Sequence, residues 1–221
     1  MSKTAIILGA TGLVGSHLLM LLLDDDRYEN VKVFLRRPVG FEHPKLIQHI
    51  IEFDYSEEWK DLVMGDELFS CLGTTIKAAG SQEVQYKVDY TYQYRFAQIA
   101  AEHGVSTYVL VSSSGADPAS RFFYPRIKGE LDRDARELPF QTVRIIKPSV
   151  LVGERQEKRM GESLSVVLGN LLTPLIPPLK KYRPIPASIV AQAMINAVND
   201  KFSQKFCEYE LAEVFELAQK I

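Results

Sequence analysis

Short apolar runs alternate with helical segments along the first 150 residues of the chain. The runs are TAIILG (4–9), VKVFLR (31–36), LIQHII (46–51), ELFSCLG (67–73), TYVLVSS (107–113) and FQTVRIIKPSV (140–150). Helical patterns follow the first run as far as about Leu23 and cover a long segment at 82–103. Repeated strand and helix units are typical of a parallel sheet that is covered on both faces. The pattern therefore predicts an α/β fold with a Rossmann-like doubly wound parallel sheet.

The pattern changes after about residue 150. A charged stretch (153–162) leads into the apolar segment SLSVVLGNLLTPLIPPLKKY (163–182), and a further helix begins near Pro186. We expect one structural domain in two parts, a nucleotide-binding Rossmann core at 1–150 and a small substrate-side lobe with C-terminal helices at 151–221. The apolar segment fits either the wall or lid of a substrate pocket or a membrane-surface segment.

Composition and charge exclude several classes of function. The 221 residues are 46% hydrophobic and 24% charged with a net charge of −2, so no basic excess predicts nucleic-acid binding. Cys71 and Cys207 form no CxxC pair, which favours a reduced, cytoplasmic location. The four histidines lack metal-ligand spacing, so no metal site is predicted. Three glycines, His17 and the aspartates at 24–26 interrupt the apolar N-terminus, so we expect no stable membrane insertion.

A tyrosine repeat bears on oligomeric state. Tyr86, Tyr90 and Tyr94 recur every four residues on the predicted long helix and therefore share one face. They fit either a dimer seam or packing within one subunit, so both a monomer and a homodimer stay open.

A glycine-rich turn follows the first predicted strand. In ILGATGLVG, Gly9, Gly12 and Gly15 stand between that strand and the first helix. Missing β-carbons allow a tight turn and close approach of a pyrophosphate, and the helix N-terminus offers amide donors to the anion. The spacing is GxxGxxG rather than the standard GxGxxG, so its position after the strand carries the prediction of a dinucleotide site.

Two arginines end the second predicted strand. A site that prefers NAD places a carboxylate there, against the ribose 2′-hydroxyl. Arg36 and Arg37 occupy this place in FLRRP. Guanidinium groups bind a 2′-phosphate through charge-assisted hydrogen bonds. The sequence therefore predicts NADP(H) as the cofactor.

Candidate chemistry follows the fifth predicted strand. VLVSSSGAD carries three serines, and FFYPRIKGE then places Tyr124 and Lys128 four residues apart on one helix face. Reduction of a carbonyl needs a proton delivered to its oxygen, and a neighbouring ammonium stabilises a tyrosine phenolate. A serine hydroxyl would orient the substrate oxygen and share its developing charge. We therefore predict Tyr124 as acid/base, Lys128 as its activator and Ser113 as the substrate-orienting residue.

With these motifs the chain resembles the short-chain dehydrogenase/reductase superfamily, whose Ser and Tyr-x-x-x-Lys set matches Ser113, Tyr124 and Lys128. CLGTT, SSSGAD, YPRIKGELD and KPSVLVGERQEKRMGE are similar to the small atypical branch that includes the human Tat-interacting oxidoreductase-like protein. The resemblance covers nearly the whole chain and weakens after about residue 165. It also implies a set of cofactor contacts, namely Thr11, Gly12, Leu13 and Val14 at the phosphates, Arg36 and Arg37 at the 2′-phosphate, Leu72 and Gly73 after the fourth strand, Leu151 and Arg159 after the sixth, and Tyr124 with Lys128.

The chain departs from this branch at two positions. Relatives have lysine where this chain has Ser114, so either Ser113 or Ser114 could polarise the substrate. Many superfamily members carry an asparagine on the long helix that holds a relay water, and the comparable residue here is Asp89. The resemblance therefore leaves the proton relay open.

Three functions fit these features. The leading hypothesis is an NADP(H)-dependent oxidoreductase that acts on a small carbonyl or alcohol. A sugar-nucleotide epimerase or dehydratase could use the same site, although about 70 residues after the sixth strand are few for holding a nucleotide sugar. A redox-sensing regulator that binds NADP(H) and passes its state to a protein partner is the third, and such a sensor has no need of an intact proton donor.

Overall fold

The computed structural model describes residues 2–153, 182–199 and 204–220. Its strands are β1 (Lys3–Leu8), β2 (Tyr28–Leu35), β3 (Leu46–Ile50), β4 (Glu67–Ser70), β5 (Thr107–Val111), β6 (Thr142–Lys147), β7 (Leu151–Val152), β8 (Ile185–Pro186) and β9 (Phe206–Glu210). Within these residues the main sheet has seven strands, all parallel, in the order β3-β2-β1-β4-β5-β6-β9. β7 and β8 pair with each other separately. The predicted fold class is confirmed.

Helices cover both faces of the sheet. They are α1 (Leu13–Asp24), α2 (Ser56–Trp59), α3 (Ile76–Ala79), α4 (Gln82–Tyr86), α5 (Tyr92–Glu102), α6 (Phe123–Glu137), α7 (Ala187–Asn199) and α8 (Ala212–Gln219). A 3₁₀ turn spans Lys60–Leu62, and a π-helical turn, Lys87–Thr91, joins α4 to α5. The long helix predicted at 82–103 is therefore present but contains a wider turn at its middle.

The alternation of side chains along the central strand divides the core into two layers. Ala5 and Ile7 of β1 face α1, α7 and α8, whereas Ile6 and Leu8 face α5 and α6. All four side chains are fully buried. Burial on both faces explains why the central strands β1, β4, β5 and β6 appear in the sequence as continuous apolar runs.

Much of the predicted substrate-side lobe belongs to the core in the structure. α7 packs on α1 through residues such as Val190 and Met194, and β9 extends the main sheet beside β6. The boundary expected at residue 150 therefore does not separate these elements from the sheet, because the apolar face of α7 is buried against it. Most of the apolar segment at 163–182 lies outside the described residues.

The tyrosine repeat of the long helix packs within the subunit. The rings of Tyr86 and Tyr90 lie 5.0 Å apart, and those of Tyr90 and Tyr94 lie 5.7 Å apart. Tyr90 also donates a 2.6 Å hydrogen bond to Asp134 of α6. These contacts fix the long helix against α6, and oligomeric state stays a prediction. In the described part of the chain, no helix has the length and apolarity needed to cross a membrane.

Candidate active site

Carboxyl ends of the parallel strands meet at one edge of the sheet. The chain runs from β1 outward to β3 and then returns to place β4 on the other side of β1. In open α/β sheets, ligands bind outside the strand ends at this reversal of strand order. The loops after β1, β4 and β5 are therefore the expected walls of the site.

The turn after β1 leaves no space for a β-carbon at Gly9 or at Gly15. Gly9 has φ of +78°, and a β-carbon on it would lie 2.7 Å from the carbonyl carbon of Cys71. A β-carbon on Gly15 would lie 2.1 Å from the Gly9 carbonyl oxygen, so α1 starts in direct contact with the turn. Gly9 and Gly15 are thus needed for a compact turn between β1 and α1.

The start of α1 presents amide groups to the same edge. No side chain caps the helix, and its first helical bond runs from the Ser16 amide to the Gly12 carbonyl at 2.9 Å. The amides of Leu13, Val14 and Gly15 therefore precede the helical hydrogen-bond ladder and are free to bind an anion. Thr11 is exposed beside them, while the Val14 side chain is buried in the core.

The loop after β6 reaches the glycine-rich turn. A β-carbon on Gly153 would lie 2.7 Å from a methyl group of Leu13, so these two segments touch. Leu151, two residues earlier in β7, packs partly buried against the core. Leu151 thus lies close to the glycine-rich turn, which holds other cofactor contacts that the resemblance implied. Arg159, the second residue implied after β6, lies outside the described residues.

Arg36 and Arg37 follow β2 directly. Both side chains are exposed. Within 2–153, 182–199 and 204–220, neither guanidinium has an ion-pair or hydrogen-bond partner. Two unpaired guanidinium groups at the carboxyl end of a strand beside β1 can bind an anion from solvent.

The segment after β4 contacts both ends of the site. Cys71 supplies the backbone that Gly9 approaches, and Leu72 packs partly buried against the second core layer. A β-carbon on Gly73 would lie 3.4 Å from the Asp89 carboxylate and 3.8 Å from the Lys128 ammonium. This short segment therefore links the glycine-rich turn to the predicted catalytic lysine.

Tyr124 and Lys128 lie on the same face of α6 but in different environments. The Tyr124 side chain is 42% exposed, whereas Lys128 is buried. The Lys128 ammonium lies 6.0 Å from the centre of the Tyr124 ring and 3.0 Å from the Asp89 carboxylate. Burial acts to lower the pKa of Lys128, but Asp89, with Tyr124 and Asp132, outweighs burial and raises it. Lys128 is therefore a charged group beneath an accessible tyrosine.

The three serines after β5 have separate roles in the structure. The Ser112 hydroxyl is buried and donates a 2.9 Å hydrogen bond to Asp132 of α6. The Ser113 hydroxyl donates to the Ser114 carbonyl at 3.3 Å, and both residues are half-buried. Ser112 thus fixes the strand end, while Ser113 and Ser114 are partly accessible, and their role in orienting a substrate stays a prediction.

A second buried ion pair was not anticipated from the sequence. The Lys147 ammonium at the end of β6 lies 3.3 Å from Asp132 and 3.0 Å from Glu208 of β9. Burial raises the pKa of Asp132, against the opposing effects of its hydrogen bond from Ser112 and of Lys147. The only available signal was the spacing of Lys128 and Asp132, which puts two charged residues on the buried side of one helix.

The fold and the geometry at the strand ends define a Rossmann protein with a Tyr/Lys pair on the helix after the fifth strand. The family model described as the NAD dependent epimerase/dehydratase family matches residues 5–202. The chain belongs to this family.

The chain is also similar to curated proteins named FMP52. The mitochondrial protein FMP52 of Saccharomyces cerevisiae is 39% identical over 75% of this chain and 74% of its own length. FMP52-1 of Scheffersomyces stipitis, also named mitochondrial, is 36% identical over 99% of this chain and 100% of its own length. The finer resemblance to the Tat-interacting branch stays a prediction.

Solved structures share the fold at low sequence identity. WbmH of Bordetella bronchiseptica in complex with NAD+ has a TM-score of 0.71 and 15% identity, covering 95% of this chain and 75% of the other. UDP-glucose 4-epimerase of Thermotoga maritima with UDP-glucose has a TM-score of 0.68 and 14% identity, covering 98% and 81%. These similarities establish the Rossmann architecture.

The cytoplasmic location expected from the sequence is wrong. The curated relatives at 33–39% identity are named as mitochondrial proteins. The expectation depended on two unpaired cysteines, both of which are free thiols in the structure. Free thiols indicate a reducing environment but contain no targeting signal, so they could not distinguish one reducing compartment from another.

Proposed function

We propose that the protein is an NADP(H)-dependent oxidoreductase that acts on a small carbonyl or alcohol. We also propose that it works in mitochondria, because its curated relatives are named as mitochondrial proteins. One observation carries the proposal. The segment Cys71–Gly73 contacts the glycine-rich turn at Gly9 and approaches the buried ammonium of Lys128. A dinucleotide that spans this segment would have its phosphates at α1 and its reactive ring near Tyr124.

The residues present fit a dinucleotide. The turn leaves no space for β-carbons at Gly9 and Gly15, and the amides of Leu13, Val14 and Gly15 are available to a pyrophosphate. Arg36 and Arg37 favour NADP(H) over NAD(H), since both are exposed and without an ion-pair partner in the described part of the chain.

The chemistry divides between the cofactor and the chain. A bound nicotinamide dinucleotide supplies or accepts the hydride. In the direction of reduction, Tyr124 donates its hydroxyl proton to the carbonyl oxygen, and the Lys128 ammonium stabilises the phenolate that remains. Ser113 or Ser114 donates a hydrogen bond to the same oxygen and so orients the substrate. In the direction of oxidation, the Tyr124 phenolate takes the proton from the alcohol.

A second candidate is a sugar-nucleotide epimerase or dehydratase. The family name favours it, and several structural neighbours are described with UDP-sugars. Such an enzyme would use the same Tyr124 and Lys128. Incubation of the purified protein with UDP-glucose and either NAD+ or NADP+, followed by chromatography of the sugar nucleotides, separates this activity from reduction of a simple carbonyl.

The cofactor prediction is tested by fluorescence titration with NADPH and NADH. We expect the wild-type protein to bind NADPH at least tenfold more tightly, and the double variant Arg36→Ala/Arg37→Ala to lose about 1.4 kcal/mol or more of that preference. Arg133→Ala is the matched control, because Arg133 is an exposed arginine of α6 that pairs with Asp134. Equal binding of the two cofactors by the wild type would refute NADP(H) selectivity.

The role of Tyr124 is tested by turnover with NADPH and 4-nitrobenzaldehyde as a generic carbonyl. Tyr124→Phe should bind NADPH normally and lose at least about a hundredfold in kcat, the scale of general acid catalysis. Tyr55→Phe, which changes an exposed tyrosine away from α6, should retain wild-type activity. NADPH binding without turnover by the wild type would instead favour the redox-sensing regulator that signals to a protein partner.

A further inference from the structure

Lys128 is held by a buried carboxylate from another helix. The ammonium of Lys128 and the carboxylate of Asp89 lie 3.0 Å apart, and the two side chains are only 5% and 1% exposed. Burial of a charge in a protein interior is costly unless a partner of opposite charge compensates it. The protonation state of the Lys128 side chain therefore depends on Asp89.

Asp89 also holds the segment that follows β4. Its second carboxylate oxygen accepts a 2.8 Å hydrogen bond from the Thr74 amide. The adjacent Gly73 lies beside the ion pair, since a β-carbon there would be in van der Waals contact with Asp89 at 3.4 Å and with Lys128 at 3.8 Å. One carboxylate thus fixes both the lysine and the loop that contacts the glycine-rich turn.

The π-helical turn places Asp89 at this position. Asp89 lies within Lys87–Thr91, where the helix makes one wider turn. Its carbonyl accepts a 2.6 Å hydrogen bond from the Gln93 side chain, which accepts one from Ser70 at the end of β4. π-helical turns within α-helices are frequent at functional sites. The buried polar side chains tie the turn to β4.

Several titratable groups surround Lys128. Asp89 faces it from the π-helical turn, while Tyr124 and Asp132 face it from its own helix. Lys147 of β6 pairs with Asp132 rather than with Lys128. Asp89 is the partner in direct contact with the ammonium, so it is the residue whose removal should have the largest effect.

We propose that Asp89 is a positioning residue, which keeps Lys128 charged and couples it to the loop that contacts the glycine-rich turn. The inference rests on the proposed function for its catalytic consequence, whereas the ion pair itself can be measured without cofactor. Without the carboxylate, burial would favour neutral Lys128, which can no longer stabilise a phenolate at Tyr124.

The test is an NMR titration of apo protein labelled with [ε-13C]lysine, with the Lys128 signal assigned by its loss in Lys128→Arg. In the wild type, Lys128 should remain an ammonium beyond pH 10.5, the ordinary lysine value. In Asp89→Asn the midpoint should fall by at least about one pH unit, a tenfold change in proton affinity. Asp134→Asn, which removes a carboxylate of α6 paired with Arg133 and Tyr90, should leave it unchanged.

A wild-type midpoint below 10.5, or equal midpoints in wild type and Asp89→Asn, would overturn the proposal. The wild-type midpoint of Lys128 can refute the proposal even if Asp89→Asn does not fold, which circular dichroism would show. The NADPH-dependent reduction of 4-nitrobenzaldehyde should show the same shift. As pH rises, the activity of Asp89→Asn should begin to fall at a lower pH than the activity of the wild type, because Lys128 loses its proton earlier. A shifted Lys128 midpoint in a protein without turnover would leave the ion-pair inference standing and reject the proposed function.

Discussion

The contact between α1 and the glycine-rich turn predicts a severe effect of one added methyl group. In Gly15→Ala the new β-carbon would lie 2.1 Å from the Gly9 carbonyl oxygen and 2.8 Å from its carbon. Ordinary van der Waals contact begins at 3.4 Å, so α1 and the turn must separate by more than 1 Å. Because both contacting groups are backbone, no side chain can rotate away to relieve the overlap.

The expected cost of Gly15→Ala is about 1–3 kcal/mol of unfolding free energy, the range for overpacked sites. Dinucleotide binding should weaken at least tenfold, because the amides at the start of α1 move together with the helix. Urea unfolding and fluorescence titration with NADPH measure the two effects. Gly40→Ala is the matched control, since a β-carbon there has no heavy atom within 4 Å.

Gly40→Ala should leave both quantities close to wild type, within about 0.5 kcal/mol. Wild-type stability together with wild-type NADPH affinity in Gly15→Ala would refute the close contact. A loss of stability without a loss of affinity would keep the packing argument and reject the role of these amides in phosphate binding.

Two further predictions concern other parts of the fold. Gly129→Ala would place a β-carbon 2.3 Å from the carbonyl carbon of Asp117. We therefore expect urea unfolding to show a loss of about 1–3 kcal/mol in unfolding free energy, and we expect slower turnover because the serine-bearing loop moves away from α6. Unchanged stability would contradict this packing. The hydrogen bond from Arg27 lowers the pKa of Asp25. The contribution of this pair to the free energy of unfolding is therefore present above pH 3.8 and is lost as pH falls through the lowered pKa. Asp25→Asn should therefore cost about 0.2–1 kcal/mol at pH 7 and progressively less in acid, measured by urea unfolding at several pH values; a difference independent of pH would exclude the charge as its cause.

The sheet was predictable because β1, β2, β4, β5 and β6 are largely buried and β3, although only partly buried at the sheet edge, is still rich in apolar residues. Each predicted run overlaps one of β1 to β6, although β2 begins at Tyr28, three residues before its run, and the long helix was found at nearly its observed limits. β9 was missed because Phe206–Glu210 is a short edge strand of partly exposed residues, which leaves little periodic signal. The π-helical turn depends on contacts of Asp89 and Gln93 with distant parts of the chain, so no local pattern reveals it.

The candidate site was predictable where it depends on local spacing. Gly9, Gly12 and Gly15 lie in one turn, and Tyr124 and Lys128 are four residues apart, so the sequence displays both motifs directly. The ion pair of Lys128 with Asp89 joins two helices that are separate in sequence, and only folding brings them together. The resemblance pointed to Asp89 as an unusual residue but could not reveal its partner.

The edge position of β9 has a consequence for hydrogen exchange. Among the described residues it pairs only with β6, across about sixty intervening residues, so its amides should exchange with solvent through local opening well before those of β1. Each such opening would remove Glu208 from Lys147, which also holds Asp132 and, through it, Ser112 at the end of β5. Transient fraying at the far edge of the sheet would thus loosen the strand end that carries the serines of the candidate site.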